Sequence, residues 1–167
     1  QKKKTRAGMA KEKGLEPLAV YLLSFPKHGS PLEEGEKYIS EQVPDGDAAL
    51  QGAMDIVAEM VSEDPEVRKW VREYTLAQGV LTVQAKDPEK DSVYRMYYDN
   101  YREKVARIVP HRVLAINRGE REEFLHVTLE VNQEYILNWL DRRFVKDGVT
   151  AELVKKAVAD GYKRLIA

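Results

Sequence analysis

The sequence contains no cysteine, which excludes disulfides and thiolate metal sites and fits a cytoplasmic location. It has no apolar run long enough to cross a bilayer, so no membrane partner is expected. No long apolar block follows the lysines of residues 2–4, so no secretory pattern is expected. Histidine is scarce: His28, His111 and His126 stand alone, and no two share the spacing that places both on one helix face. HExxH, GxSxG and Gly-rich phosphate loops are all absent, and no nucleophile–base pair emerges. The expectation is therefore no metal, no cofactor and no enzyme.

The 167 residues suffice for one ordinary domain, or one with a small appendage. Hydrophobic residues make up 43% and charged residues 33%, a mix too apolar for general disorder and suited to a helix-rich protein. Net charge is only −1, but it is unevenly spread. Residues 1–13 carry six basic side chains against Glu12. Residues 33–66 carry eleven acidic side chains against Lys37, and residues 94–121 carry seven basic against three acidic. Such blocks either steer partners or form solvated helix faces.

Helical periodicity dominates. Residues 1–13 read as a basic lead-in helix closed by Gly14, with a second helix starting near Pro17. Ser30-Pro31-Leu32-Glu33 is a capping box with Pro at the first helical position. Asp45 can cap a helix whose buried face carries Leu50, Ala53, Met54, Val57, Met60 and Val61. Asp64-Pro65 starts the next, with Val67, Trp70, Val71 and Tyr74 as its stripe and Gly79 as its stop. Asn132 and Thr150 are candidate caps for the last two helices. Both ends read as cut, since the chain starts inside a charged run and the last helix carries no stop signal.

Two segments alternate with period two, which predicts strands at 80–86 and 125–131. The expected fold is mainly α, with one small two-stranded ribbon and a helical excursion over 87–123 that Gly119 ends. The expected core comprises Leu50, Met54, Val57, Trp70, Val71, Val127, Leu129, Ile136, Trp139, Leu140 and Val158.

The candidate binding residues are basic. Lys104, Arg107, His111 and Arg118 fall at intervals of three, four and seven, which places them near one helix face if Pro110 leaves the axis continuous; a kink there would split the stripe. Arg112 adjoins them, and Lys2, Lys3, Lys4 and Arg6 form a second basic group. Basic residues on one face are the electrostatic footprint of phosphate contact. Tyr94, Tyr97, Tyr98 and Tyr101 either stack bases or bury their rings in the core. His111 opens a helix and fits a local hydrogen bond better than catalysis.

Four segments resemble, in the same order, the Tex family of bacterial transcription accessory proteins: TRAGMAKEKGLEPLA near the start, VPDGDAALQGAMDIVAE at 43–59, YRMYYDNYREKVARIVPHRVLAINRGE at 94–120 and DGYKRLIA at the C-terminus. The resemblance implies a cytoplasmic multidomain factor with a helical N-terminal region, a ribonuclease H-like domain, helix-hairpin-helix elements and an OB-type RNA-binding domain. This chain would be part of the helical N-terminal region. The resemblance implies nucleic acid as partner, RNA ahead of DNA and mainly through the other domains. The transcription machinery is a further implied partner, and no catalytic residues carry over.

Overall fold

The computed structural model describes residues 4–167, and among these the chain folds as two compact units. One comprises the described residues up to Arg68 together with Glu134–Ala167, and the other comprises Lys69–Gln133. The fold is mainly α, as expected, with a small antiparallel sheet.

In the first unit, short-range caps set the helix starts. The Thr5 hydroxyl accepts from Gly8 N at 2.9 Å to open α1 (Arg6–Glu12). Gly14, at φ +80°, supplies the left-handed turn into α2 (Glu16–Leu23). Ser30 Oγ accepts from Glu33 N at 3.3 Å at the head of α3 (Pro31–Glu36). Asp45 Oδ1 accepts from Ala48 N at 2.8 Å at the head of α4 (Gly46–Glu63). Helix α4 is the centre of this unit. It buries Ala49, Leu50, Ala53, Val57, Ala58 and Val61 against its neighbours. Met60, expected on that face, is instead 40% exposed. Asp64 caps α5 (Pro65–Gln78) by accepting from Glu66 N at 2.9 Å. Helix α7 (Gln133–Phe144) directly follows Asn132, and α8 (Ala151–Asp160) continues into a π-helical turn at Gly161–Ile166. Thr150 precedes α8 but does not cap it. Its buried hydroxyl donates to the Leu22 carbonyl at 2.7 Å and ties α8 to α2.

In the second unit, Gly79 ends α5 as expected, and the chain enters β1 (Val80–Ala85). Strand β1 pairs antiparallel with β3 (Leu125–Glu130), in a register running from Val80↔Glu130 to Ala85↔Leu125. The expected ribbon is therefore present, but the sheet has a third strand. Strand β2 (Tyr101–Lys104) pairs with the other edge of β1, giving the order β2-β1-β3.

This corrects the helical excursion expected over 87–123. Only α6 (Pro110–Arg121) is α-helical there, with single 3-10 turns at Arg95–Tyr97 and Val105–Arg107. The reason is local. Tyr101 and Glu103 turn toward the packed side while Arg102 and Lys104 are exposed, a period-two pattern disguised by the charge on Glu103. Pro110 lacks an N–H and confines Val109 to extended backbone, so a new helix begins there.

The core of this unit gathers Val83, Tyr94, Tyr97, Tyr98, Ile116 and Leu125. Gly119 does not stop α6 as expected but lies buried within it, where Leu125 and Tyr94 close on its Cα. Leu129, expected in the core, is 46% exposed, because burial along β3 falls away from Leu125 toward Glu130. Leu50, Val57, Val71, Ile136, Leu140 and Val158 are buried as expected, while Met54, Trp70, Val127 and Trp139 are only partly so.

Candidate nucleic-acid interface

The basic residues singled out by their spacing do not form one helical stripe. Lys104 ends β2, Arg107 lies in the 3-10 turn, and only His111, Arg112 and Arg118 belong to α6. The element change at 105–109 breaks the axis more thoroughly than a proline kink would.

Within α6, Arg112 turns inward. Its Nη1 donates to both carboxylate oxygens of Glu103, at 2.8 Å to Oε1. Tyr101 Oη donates to Glu103 Oε2 at 3.1 Å, so the carboxylate joins strand, helix and ring. The Arg112 hydrogen bond holds the Glu103 carboxyl below the usual carboxylate range, against an opposing push from burial. Burial, reinforced by the Glu103 charge, raises the Tyr101 hydroxyl.

His111 and Arg118 do share an exposed face, one turn-pair apart, with Leu114 between them at 70% exposure. Arg121 extends that face by another turn and is also exposed. The earlier spacing missed it, although it follows Arg118 by three residues and so repeats the same helical interval.

The tyrosines are committed to the core. Tyr94 Oη donates to Glu122 at 3.0 Å, and Tyr98 Oη donates to the Lys90 carbonyl at 2.6 Å. The Tyr97 ring meets Tyr101 edge to face at 5.0 Å. With Tyr94, Tyr97 and Tyr98 buried, these rings offer no open stacking platform.

In the first unit, Lys2 and Lys3 lie outside the described residues. Lys4 pairs with Glu12 at 2.9 Å, and Arg6 is exposed on the first turn of α1. Arg6 and Lys13 line a depression of about 240 Å³ beside α4, which also holds Gln42, Gln51 and the carboxylate of Asp55. That carboxylate accepts from Gln51 Nε2 at 3.0 Å and opposes the two cations. Among the described residues, no group of three or more His, Asp or Glu side chains converges to hold a metal ion. His28, His111 and His126 are all exposed.

These features define a mainly helical protein of two units, whose basic residues are spread over several elements. The chain belongs to the Tex family: residues 27–158 match the family model described as Tex central region-like. That description refers to the central region, whereas the sequence resemblance was to the helical N-terminal region of the same family. The chain is 42% identical over 173 residues to the uncharacterised protein YdcI of Bacillus subtilis, covering 99% of this chain and 24% of the relative. It is 31% identical to the transcriptional accessory protein Tex of Neisseria gonorrhoeae, over 98% of this chain and 21% of the relative. It is also similar, at 29% identity over 98% of its length, to human S1 RNA-binding domain-containing protein 1, of which it covers 18%. The chain thus spans a quarter or less of the length of these relatives. Among the described residues, no helix is long and apolar enough to cross a membrane.

Proposed function

We propose that this chain is a non-catalytic scaffold and interaction region of a cytoplasmic transcription accessory protein, in which nucleic acid is bound mainly by domains outside it. One observation carries this reading: the candidate phosphate-binding groups are either engaged or scattered. Arg112 is held by Glu103 and Lys4 by Glu12, and three tyrosine rings are buried. Lys104, Arg107 and the His111–Arg118 face occupy three different elements. A relative named as a transcriptional accessory protein supports the transcription setting, and one named for an S1 RNA-binding domain supports RNA ahead of DNA as the nucleic acid. The transcription machinery is the protein partner this setting implies.

A second reading has its own support. His111, Arg118 and Arg121 share one open face of α6, a footprint for direct contact with RNA or DNA phosphates, and in the other unit Arg6 is exposed on α1. Titration of the chain with single- and double-stranded RNA and DNA at two salt concentrations separates the two. The scaffold reading expects weak binding at both salt concentrations, with a shallow salt dependence. Tight binding, steeply salt-dependent and lost on replacing Arg118, would favour the second.

A further inference from the structure

Helices α2 and α4 present matched faces to one groove. Glu16, Ala19, Val20 and Leu23 line it from α2, and Ile56, Glu59, Met60 and Glu63 line it from α4. Both sets follow the i, i+3, i+4, i+7 interval, so each helix contributes two aligned turns, a length of about 10 Å at 1.5 Å per residue. The groove encloses about 500 Å³. Its walls are apolar and open: Val20 is 67% exposed, and Met60 is 40% exposed although it follows the interval of the packed face of α4.

The rim is acidic. Among the described residues Glu16, Glu59 and Glu63 form no ion pair, and Lys11 is the opposing charge at one corner. Asp64 at the far end is already bound by Arg143 at 3.2 Å. Arg164 feels the charge of Glu59, but its guanidinium is fixed on Asp160 at 2.8 Å. An apolar floor between unpaired carboxylates repels phosphate. It also disfavours an acidic helix, because like charges brought together at an interface cost binding.

We propose that the α2–α4 groove seats a basic amphipathic helix of a protein partner. Two turns of that helix place apolar side chains on Val20, Leu23, Ile56 and Met60, and its flanking Lys or Arg side chains pair with Glu16, Glu59 and Glu63. This is the helix-in-groove mode, in which the added helix completes the layer that α2 and α4 leave open. The inference rests on the scaffold reading and names the chemistry of its partner.

The test uses two synthetic helical peptides with the same Leu/Ile stripe, one flanked by Lys and Arg and the other by Glu. Binding is followed by fluorescence anisotropy and by methyl NMR of the chain. The basic peptide should bind and shift the methyls of Val20, Leu23, Ile56 and Met60, and the acidic one should bind at least about tenfold more weakly. Val20→Lys with Met60→Lys should weaken the basic peptide by about tenfold or more. Glu59→Gln with Glu63→Gln should weaken it and flatten its salt dependence. Circular dichroism verifies that both double variants fold, and the comparison of the two peptides on the unsubstituted chain stands without them.

No binding, equal binding of the two peptides, or methyl shifts away from the groove would overturn the proposal. So would a concentration-dependent dimer abolished by the Val20 and Met60 substitutions, which would assign the groove to a second copy. If the peptides fail while nucleic-acid binding is weak, the scaffold reading stands and the groove falls. Tight nucleic-acid binding indifferent to the groove substitutions would sink the scaffold reading and leave the peptide result intact.

Discussion

Arg112 of α6 and Glu103 of β2 are locked together, with Nη1 donating to both carboxylate oxygens and at 2.8 Å to Oε1. The pair joins the helix to an edge strand of the sheet. It also removes from the basic surface the arginine that its place beside His111 had suggested for phosphate contact.

A pH dependence follows from the pair. The Arg112 hydrogen bond lowers the Glu103 carboxyl, and the Tyr101 hydroxyl adds to it against an opposing push from burial. A carboxyl that ionises more readily when folded contributes stability that is fully present above its unfolded value, about 4.3 for Glu. That contribution is lost as the pH falls through the lower folded value. Hydrogen exchange at the Ile116 amide should therefore report a looser second unit at pH 3 than at pH 7. Glu103→Gln should remove this part of the acid sensitivity. An unchanged pH response in Glu103→Gln would contradict the assignment.

Gly119→Ala sets two effects against each other. Alanine in a helix interior gains up to about 1 kcal/mol over glycine from backbone propensity. Here its Cβ would lie 2.5 Å from Leu125 Cδ1, 2.9 Å from Leu125 Cγ and 3.1 Å from Tyr94 Cγ. Both neighbours are buried core residues, so the overpacking cost of about 1–3 kcal/mol should prevail. Urea denaturation should show net destabilisation, and a stabilised variant would mean that the α6–β3 contact yields easily.

The contrast between Leu140 and Leu129 tests the core assignment. Leu140 is fully buried, so Leu140→Ala should cost about 2–5 kcal/mol. Leu129 is 46% exposed, and Leu129→Ala should cost less than about 1 kcal/mol. Thermal melts of the two variants would contradict the assignment if their order were reversed.

Much of this fold was legible because its signals are local. Ser30 and Asp45 mark helix starts with side-chain caps, Gly14 adopts the positive φ that closes α1, and the alternation in 80–86 and 125–131 marks the β1–β3 pair. Strand β2 was not legible, because Tyr-Arg-Glu-Lys alternates only once Glu103 is counted as the inward residue. It turns inward because Arg112, nine residues on, neutralises it. Gly119 misled for a related reason: a glycine that ends a helix and one that admits a neighbour's side chain look alike until Leu125 is in place. The candidate site suffered most. Spacing places residues on one face only if the element is continuous, and the break between Lys104 and Pro110 has its cause in the pairing of β2 with β1.

The measurement that most directly tests the central claim is the affinity of this chain for single-stranded RNA as a function of salt, with and without Arg107→Ala plus Arg118→Ala. The scaffold account predicts weak binding with a shallow log–log salt slope, reduced by no more than about 0.7 per lost phosphate contact in the double variant. It also predicts that the fold and the basic-peptide affinity of the groove are unaffected. Tight binding with a steep slope that collapses in the folded double variant would contradict it, and would make this chain a nucleic-acid-binding domain in its own right.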